Sequence, residues 1–176
     1  GGASFNLLSS NESGTIENCV FSNNTGGTGG GLYCQGTYAN NEILVKNCSM
    51  IGNHASLGLL ATGGGLDIVY EAASAETVEG GTVIVENCQI MNNTTSGSGG
   101  GVALRDQAAG DNHFEIRNCT IEGNTADSNA GGFLHYKVGS SNSSITVSQN
   151  IFTNNNSPQA LGLGFASVTG INLAQE

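Results

Sequence analysis

Apolar and polar residues alternate in a short segment that recurs along the chain. Its copies are Thr15-Ile16-Glu17, Ile43-Leu44-Val45-Lys46, Val83-Ile84-Val85-Glu86, Phe114-Glu115-Ile116-Arg117 and Ile145-Thr146-Val147-Ser148. A period of two with β-branched residues predicts a strand. Each segment runs into Asn18-Cys19, Asn47-Cys48, Asn87-Cys88, Asn118-Cys119 or the degenerate pair Gln149-Asn150. A large apolar residue follows shortly: Phe21, Met50, Ile90, Ile121 and Phe152. It lies two positions after the cysteine, so both share one face of a second strand. Next comes an invariable asparagine, at Asn24, Asn53, Asn93, Asn124 and Asn155. A glycine cluster and an apolar residue then predict a third strand: Gly29 to Leu32, Gly63 to Leu66, Gly99 to Val102, Gly131 to Phe133 and Gly162 to Phe165.

The repeat returns after 29, 40, 31 and 31 residues. A unit of this size cannot bury an apolar face alone, whereas stacked units can. The expected fold is therefore all-β, a right-handed parallel β-helix of about five to six coils, each of roughly 30 residues. Residues 1–176 read as one β-helix segment. The chain starts at Gly1 without Met, and an origin in a longer repeat array is expected. The L-x-x-L-x-L pattern of leucine-rich repeats is missing.

Stacking places like residues over one another. Cys19, Cys48, Cys88 and Cys119 are expected to form an inward ladder, and so are Ile16, Val45, Val85, Ile116 and Val147. The asparagine columns are expected at bends, where Asn tolerates left-handed backbone and stacked amides hydrogen-bond along the axis. Glu17, Lys46, Glu86, Arg117 and Ser148 form a column whose charges alternate in sign, which favours this register. After the glycines, Tyr33, Asp67, Ala103 and Leu134 should face outward, followed by Gln35, Val69, Arg105 and Tyr136.

Composition agrees with a stacked-strand rod. The chain has 28 glycines, one proline and no tryptophan, and only 10% of its residues are charged. Glycine shows no three-residue period, which excludes collagen. No apolar run reaches the length of a membrane-spanning helix. With 4 basic against 14 acidic residues the formal charge is −10, so a nucleic acid is a poor partner. Anionic membrane surfaces are disfavoured for the same reason, while a basic partner or a divalent cation remains allowed.

The pairing of a glycine-glycine-apolar motif with F-x-x-N is distinctive. It occurs literally as Phe21-Ser22-Asn23-Asn24 and Phe152-Thr153-Asn154-Asn155, with looser copies at Met50 to Asn53, Ile90 to Asn93 and Ile121 to Asn124. Over nearly the whole chain this resembles the repeats of polymorphic outer-membrane proteins, autotransporter adhesins within the wider pectin-lyase-like β-helix superfamily. That family's GGA survives only as Gly1-Gly2-Ala3, continued by Ser4. The resemblance implies a surface-exposed or secreted protein concerned with adhesion; a fold alone implies no activity.

Five cysteines, four at one repeat position, argue against a small-domain disulfide framework. Buried thiols are expected, with a bridge between Cys19 and Cys48, or between Cys88 and Cys119, as the alternative. Cys34 is expected to point inward like Ile68 and Leu104. No zinc spacing accompanies the cysteines. Sequons at Asn11, Asn23, Asn47, Asn92, Asn93, Asn118, Asn142 and Asn155 mostly coincide with the asparagine columns and read as by-products of the repeat.

Polysaccharide-cleaving β-helices need carboxylates for acid–base work or for calcium, often beside a basic residue. The variable segments after the glycine strands are where to find them. Asp67, Glu71, Glu76, Glu79, Arg105 and Asp106 are the candidate ligand-binding residues, with Glu71 to Glu79 as an acidic lip. Asp111 with His113, and His135-Tyr136-Lys137, lie in the following coils, and His54 is expected in a solvated turn. No column stacks several Asp in register, and no catalytic residue is assigned. The expected function is non-enzymatic: an adhesin-like passenger or stalk, extracellular or on the cell surface, whose loops contact a cell-surface protein or polysaccharide. The alternative is a fragment of a carbohydrate-active or carbohydrate-binding β-helix. No cofactor is expected, although the acidic loops would accommodate calcium.

Overall fold

Each alternating segment becomes a strand that pairs with its counterpart one repeat later. The computed structural model describes residues 2–37, 40–71, 80–107, 110–137 and 143–158, and the backbone of 163–166 and 171–174. β1 is Ala3–Leu7. A first full turn contains β2 (Ser13–Glu17), β3 (Val20–Ser22), β4 (Thr25–Gly26) and β5 (Leu32–Gly36). The second contains β6 (Glu42–Lys46), β7 (Ser49–Ile51), β8 (His54–Ala55) and β9 (Leu66–Glu71), with a 3₁₀ turn at Gly58–Leu60 before β9. The third contains β10 (Thr82–Glu86), β11 (Gln89–Met91), β12 (Thr94–Thr95) and β13 (Val102–Gln107). The fourth contains β14 (His113–Arg117), β15 (Thr120–Glu122), β16 (Thr125–Ala126) and β17 (Phe133–Lys137). β18 (Ser144–Ser148), β19 (Ile151–Thr153), β20 (Leu163–Ala166) and β21 (Ile171–Ala174) continue the stack.

These strands form parallel sheets in the orders β1-β5-β9-β13-β17-β20, β2-β6-β10-β14-β18-β21, β3-β7-β11-β15-β19 and β4-β8-β12-β16. The fold is the right-handed parallel solenoid that the repeat predicts. Two details differ. A fourth sheet of two-residue strands was hidden, because two residues are too few to show alternation. It takes up Thr25, Thr94 and Thr125, and also His54, which lies in a strand and not in a turn. Among the described residues about four turns, not five to six, pass through all the sheets, and past β16 the next coil contributes only the bridge Thr125–Asn156.

Register sets the core. Ile16, Val45, Val85, Ile116 and Val147 pair in sequence along the axis, as do Phe21, Met50, Ile90, Ile121 and Phe152. In the first sheet the inward row is Phe5, Cys34, Ile68, Leu104 and His135.

The turns explain the asparagines. Asn18, Asn47, Asn87, Asn118 and Gln149 adopt left-handed backbone with φ between 53° and 55°. The column Asn24, Asn53, Asn93, Asn124, Asn155 does not. Left-handed backbone falls one residue earlier, at Asn23, Gly52, Asn92, Gly123 and Asn154. That bend turns the next side chain inward. Asn24 Nδ2 donates to Asn53 Oδ1 (3.1 Å), Asn53 to Asn93 (3.0 Å), Asn93 to Asn124 (3.0 Å) and Asn124 to Asn155 (2.9 Å). Each accepting oxygen also takes the backbone N–H of the preceding asparagine, and buried polar groups need such satisfaction.

The glycine clusters follow from the same geometry. A Cβ on Gly65 would lie 2.8 Å from Asn93 Nδ2, and one on Gly64 would lie 2.4 Å from the Thr94 carbonyl oxygen. Glycine is required because the asparagine column and the neighbouring strand occupy the space a side chain would need.

The four recurrent cysteines sit at the corner before the second strand. Their thiols donate to the carbonyls of Glu17, Lys46, Glu86 and Arg117, each at 3.2 Å. All five cysteines are free thiols. Burial raises the Cys34 thiol and pushes Cys48 up to about 11. Asn150 takes the cysteine's place in the next coil; its amide donates to the Ile116 carbonyl (2.8 Å) and its oxygen accepts the Cys119 N–H (2.8 Å). In the charge column Lys46 meets Glu17 at 2.8 Å and Arg117 meets Glu86 at 2.6 Å.

Candidate functional site

Alternation along β5, β9, β13 and β17 sends Tyr33 and Gln35, Asp67, Val69 and Glu71, Ala103, Arg105 and Gln107, and Leu134 and Tyr136 to the outer face of the first sheet. The row Tyr33, Asp67, Ala103, Leu134 faces outward, as the alternation predicts. It points away from the core, yet Asp67 and Ala103 are fully buried and Leu134 nearly so. The chain before each glycine cluster folds back over this row. Thr62 Oγ1 donates to Asp67 Oδ2 at 2.8 Å, and Ala130 packs with Ala103 and Leu134. Val69, in the next row, is buried as well.

Asp67 and Arg105 form the centre of the site. Arg105 Nε reaches Asp67 Oδ1 at 3.0 Å and Nη2 reaches Oδ2 at 2.8 Å, a two-pronged pair across adjacent coils. Burial holds the Asp67 carboxyl above its ordinary value, with Arg105, Thr62 and Thr28 opposing the shift. Burial pulls the guanidinium down, but its bonds and attraction to Asp67 outweigh this and hold it above its ordinary value. The ion pair is held in the two-pronged geometry that a planar guanidinium fork favours on a carboxylate.

A polar rim surrounds it. Gln35 Nε2 donates to Glu71 Oε2 at 2.9 Å. The Tyr33 phenol is raised by burial and then by Asp67, with Arg105 opposing. Tyr136 follows Arg105 in the same row and is 41% exposed. Phenol rings, an amide, a carboxylate and a guanidinium edge can stack on and hydrogen-bond a polar ligand. Asp67 itself cannot reach a substrate proton, because its oxygens are occupied and sealed from solvent.

The other candidates fall elsewhere. Asp106 alternates with Arg105 and points inward, so the adjacent pair Arg105-Asp106 cannot act on one ligand. It is fully buried and accepts a 2.7 Å bond from Asn112 Nδ2. Glu76 and Glu79 lie outside the described residues, as does most of the acidic lip. Among the described residues no three metal-ligating side chains converge. His113 Nδ1 lies 2.9 Å from Ser144 Oγ, and His54 Nδ1 lies 2.8 Å from Thr94 Oγ1, both across coils.

His135 is a buried residue that the sequence left unmarked. It sits in the inward row after Leu104 with 2% of its surface exposed, and neither ring nitrogen has a hydrogen-bond partner among the described residues. Its ring lies 5.5 Å from that of Phe114. Burial depresses its pKa, with Asp106 pulling upward and Lys137 downward. The period-two alternation of Phe133-Leu134-His135 would have shown the inward direction, but a histidine in an apolar row carries no separate mark.

Comparison with known families agrees with this architecture. The family described as a right handed beta helix region matches residues 7–173. No curated protein and no solved structure gives a significant match to the chain. With nearly the whole length matched and parallel coils stacked in register, this chain belongs to the right-handed beta helix family.

Proposed function

We propose that this chain is a non-enzymatic β-helix segment, secreted or surface-exposed, that serves as an adhesin-like passenger or stalk similar to the repeats of polymorphic outer-membrane proteins. One observation carries this reading. Asp67, an outward-facing carboxylate of the first sheet, is spent on a buried pair with Arg105 and is closed to substrate. A stiff stack of hydrogen-bonded coils supplies length, and the side faces and loops supply contact with a cell-surface protein or polysaccharide. The test is incubation with acidic and neutral polysaccharides, with and without calcium, reading both retention and products by mass spectrometry. Retention without cleavage is expected; release of shortened or unsaturated sugars overturns the proposal.

The second reading is a carbohydrate-active or carbohydrate-binding fragment. It is favoured by the rim of Tyr33, Gln35, Glu71 and Tyr136 around Arg105, which mixes aromatic and hydrogen-bonding groups on one face. Calcium would enter there only with ligands from the acidic segment that follows Glu71.

A further inference from the structure

The corner between the fourth and first sheets is built from small polar residues in three of the four full turns. It reads Gly27-Thr28, then Ser96-Gly97-Ser98, then Asp127-Ser128-Asn129. In the second turn it is longer and apolar: Leu57-Gly58-Leu59-Leu60-Ala61. Leu57, Leu59 and Leu60 are 55%, 83% and 76% exposed. The protrusion is nevertheless held rigidly. Leu57 N–H donates to the Gly27 carbonyl (3.1 Å), Ala61 N–H to the Gly58 carbonyl (3.0 Å), and Ser98 N–H to the Ala61 carbonyl (3.0 Å). Ser96 Oγ adds a bond to the Gly58 carbonyl (3.0 Å), and Ala61 is fully buried. Three leucines are thus displayed in water by a backbone already hydrogen-bonded in place, which lowers the backbone part of the entropic cost of contact.

We propose that this leucine protrusion inserts into a zwitterionic lipid surface, a partner that deepens the adhesin-like reading and rests on it. The shape is convex and local. A stable protein dimer needs about 800 Å² from each partner, far more than three leucine side chains offer, and two copies of charge −10 repel. A lipid interface needs no matching shape. The surroundings also favour it: the flanking corners on both sides consist of Gly, Thr and Ser, so insertion desolvates no charge. The nearest acidic corner residue, Asp127, belongs to the turn beyond, hydrogen-bonded through its N–H to the Thr95 carbonyl. Overall acidity sets the selectivity, favouring zwitterionic over anionic headgroups. Three leucines give reversible binding, comparable to a single acyl chain rather than a stable anchor.

The experiment is co-sedimentation of the whole chain with phosphatidylcholine vesicles, and with equimolar phosphatidylcholine–phosphatidylserine vesicles, beside Leu59→Asp and Leu60→Ser. Binding to phosphatidylcholine is expected, weaker when phosphatidylserine is added, and lowered by about tenfold or more by Leu59→Asp. Unchanged thermal melts of the variants establish that the exposed substitutions leave the fold intact. Absence of binding at millimolar lipid overturns the proposal, as does equal binding by Leu59→Asp. A concentration-dependent dimer in sedimentation that Leu59→Asp abolishes also overturns it, by assigning the protrusion to self-association. Retention on polysaccharide that persists in Leu59→Asp leaves the adhesin-like reading standing whatever the vesicles show.

Discussion

Arg105 grips both carboxylate oxygens of Asp67 from the next coil, at 3.0 and 2.8 Å, beneath a hydroxyl supplied by Thr62. This contact ties the third turn to the second on the face where a ligand would lie. Removing one partner strands a buried charge. Arg105→Met is expected to destabilise the chain by about 3–5 kcal/mol in urea unfolding, while the double variant Arg105→Met/Asp67→Leu recovers most of that loss. Equal destabilisation by single and double variants would mean that the pair contributes packing and not charge.

Asn93 is the middle of the amide column and uses all of its side-chain hydrogen-bonding groups. It donates to Met50 O and Asn124 Oδ1 and accepts from the Asn53 backbone and side chain. Asn93→Ala leaves the Asn53 backbone N–H and one of its two amide hydrogens buried without a partner, while Nδ2 keeps its bond to the Phe21 carbonyl, and should cost about 3 kcal/mol. Its neighbour Asn92 holds left-handed backbone with its side chain in solvent, so Asn92→Gly should change stability by less than about 0.5 kcal/mol. Chemical denaturation of the two variants side by side checks the contrast.

His135 makes the C-terminal coils sensitive to acid. Its folded pKa lies below the ordinary value because the ring is buried, with Asp106 and Lys137 as its charged neighbours. As pH falls through about 6.5 the unfolded chain takes up the proton first. The unfolded state then holds more protons, and stability declines until the lower folded value is passed. The melting temperature of the native sequence should therefore drop between pH 7 and 5 by more than that of His135→Leu. Parallel curves for the two proteins would remove His135 as the titrating group.

The thiols should differ in reactivity by burial. Cys19 is half-buried, whereas Cys34, Cys48, Cys88 and Cys119 are closed off, and burial raises the Cys34 and Cys48 thiols. Thiolate is the reacting form. A disulfide reagent at pH 8 is expected to titrate Cys19 in the native protein and the other four only after unfolding. Rapid native reaction of Cys48 would contradict the packing at that corner.

The charge column tests the limits of surface pairing. Lys46 with Glu17 and Arg117 with Glu86 are partly exposed, and each pair should contribute no more than about 1 kcal/mol. Glu86→Gln is expected to lower the urea midpoint slightly in low salt and not at all in 1 M salt, where screening removes the attraction.

What the sequence determined by itself is the repeat and everything the repeat implies. Alternation at Val83 to Glu86, cysteine two residues before a large apolar side chain, and asparagine before glycine dictate strand, corner and coil, because a solenoid's geometry is set by nearest neighbours along the chain and one coil away. What each outward residue meets depends on how the coils pack. Asp67 and Glu71 share one strand face in sequence terms, yet the backfolded chain at Thr62 seals the first and leaves the second at the rim. Asp106 follows Arg105 in the chain, but a single step of strand pleat sends it into the core against Asn112. The two-residue strand holding His54, the orphaned ring of His135 and the ordered display of Leu59 likewise depend on contacts between coils. Such contacts are made by segments of irregular length, and irregular segments carry no period from which their neighbours can be read.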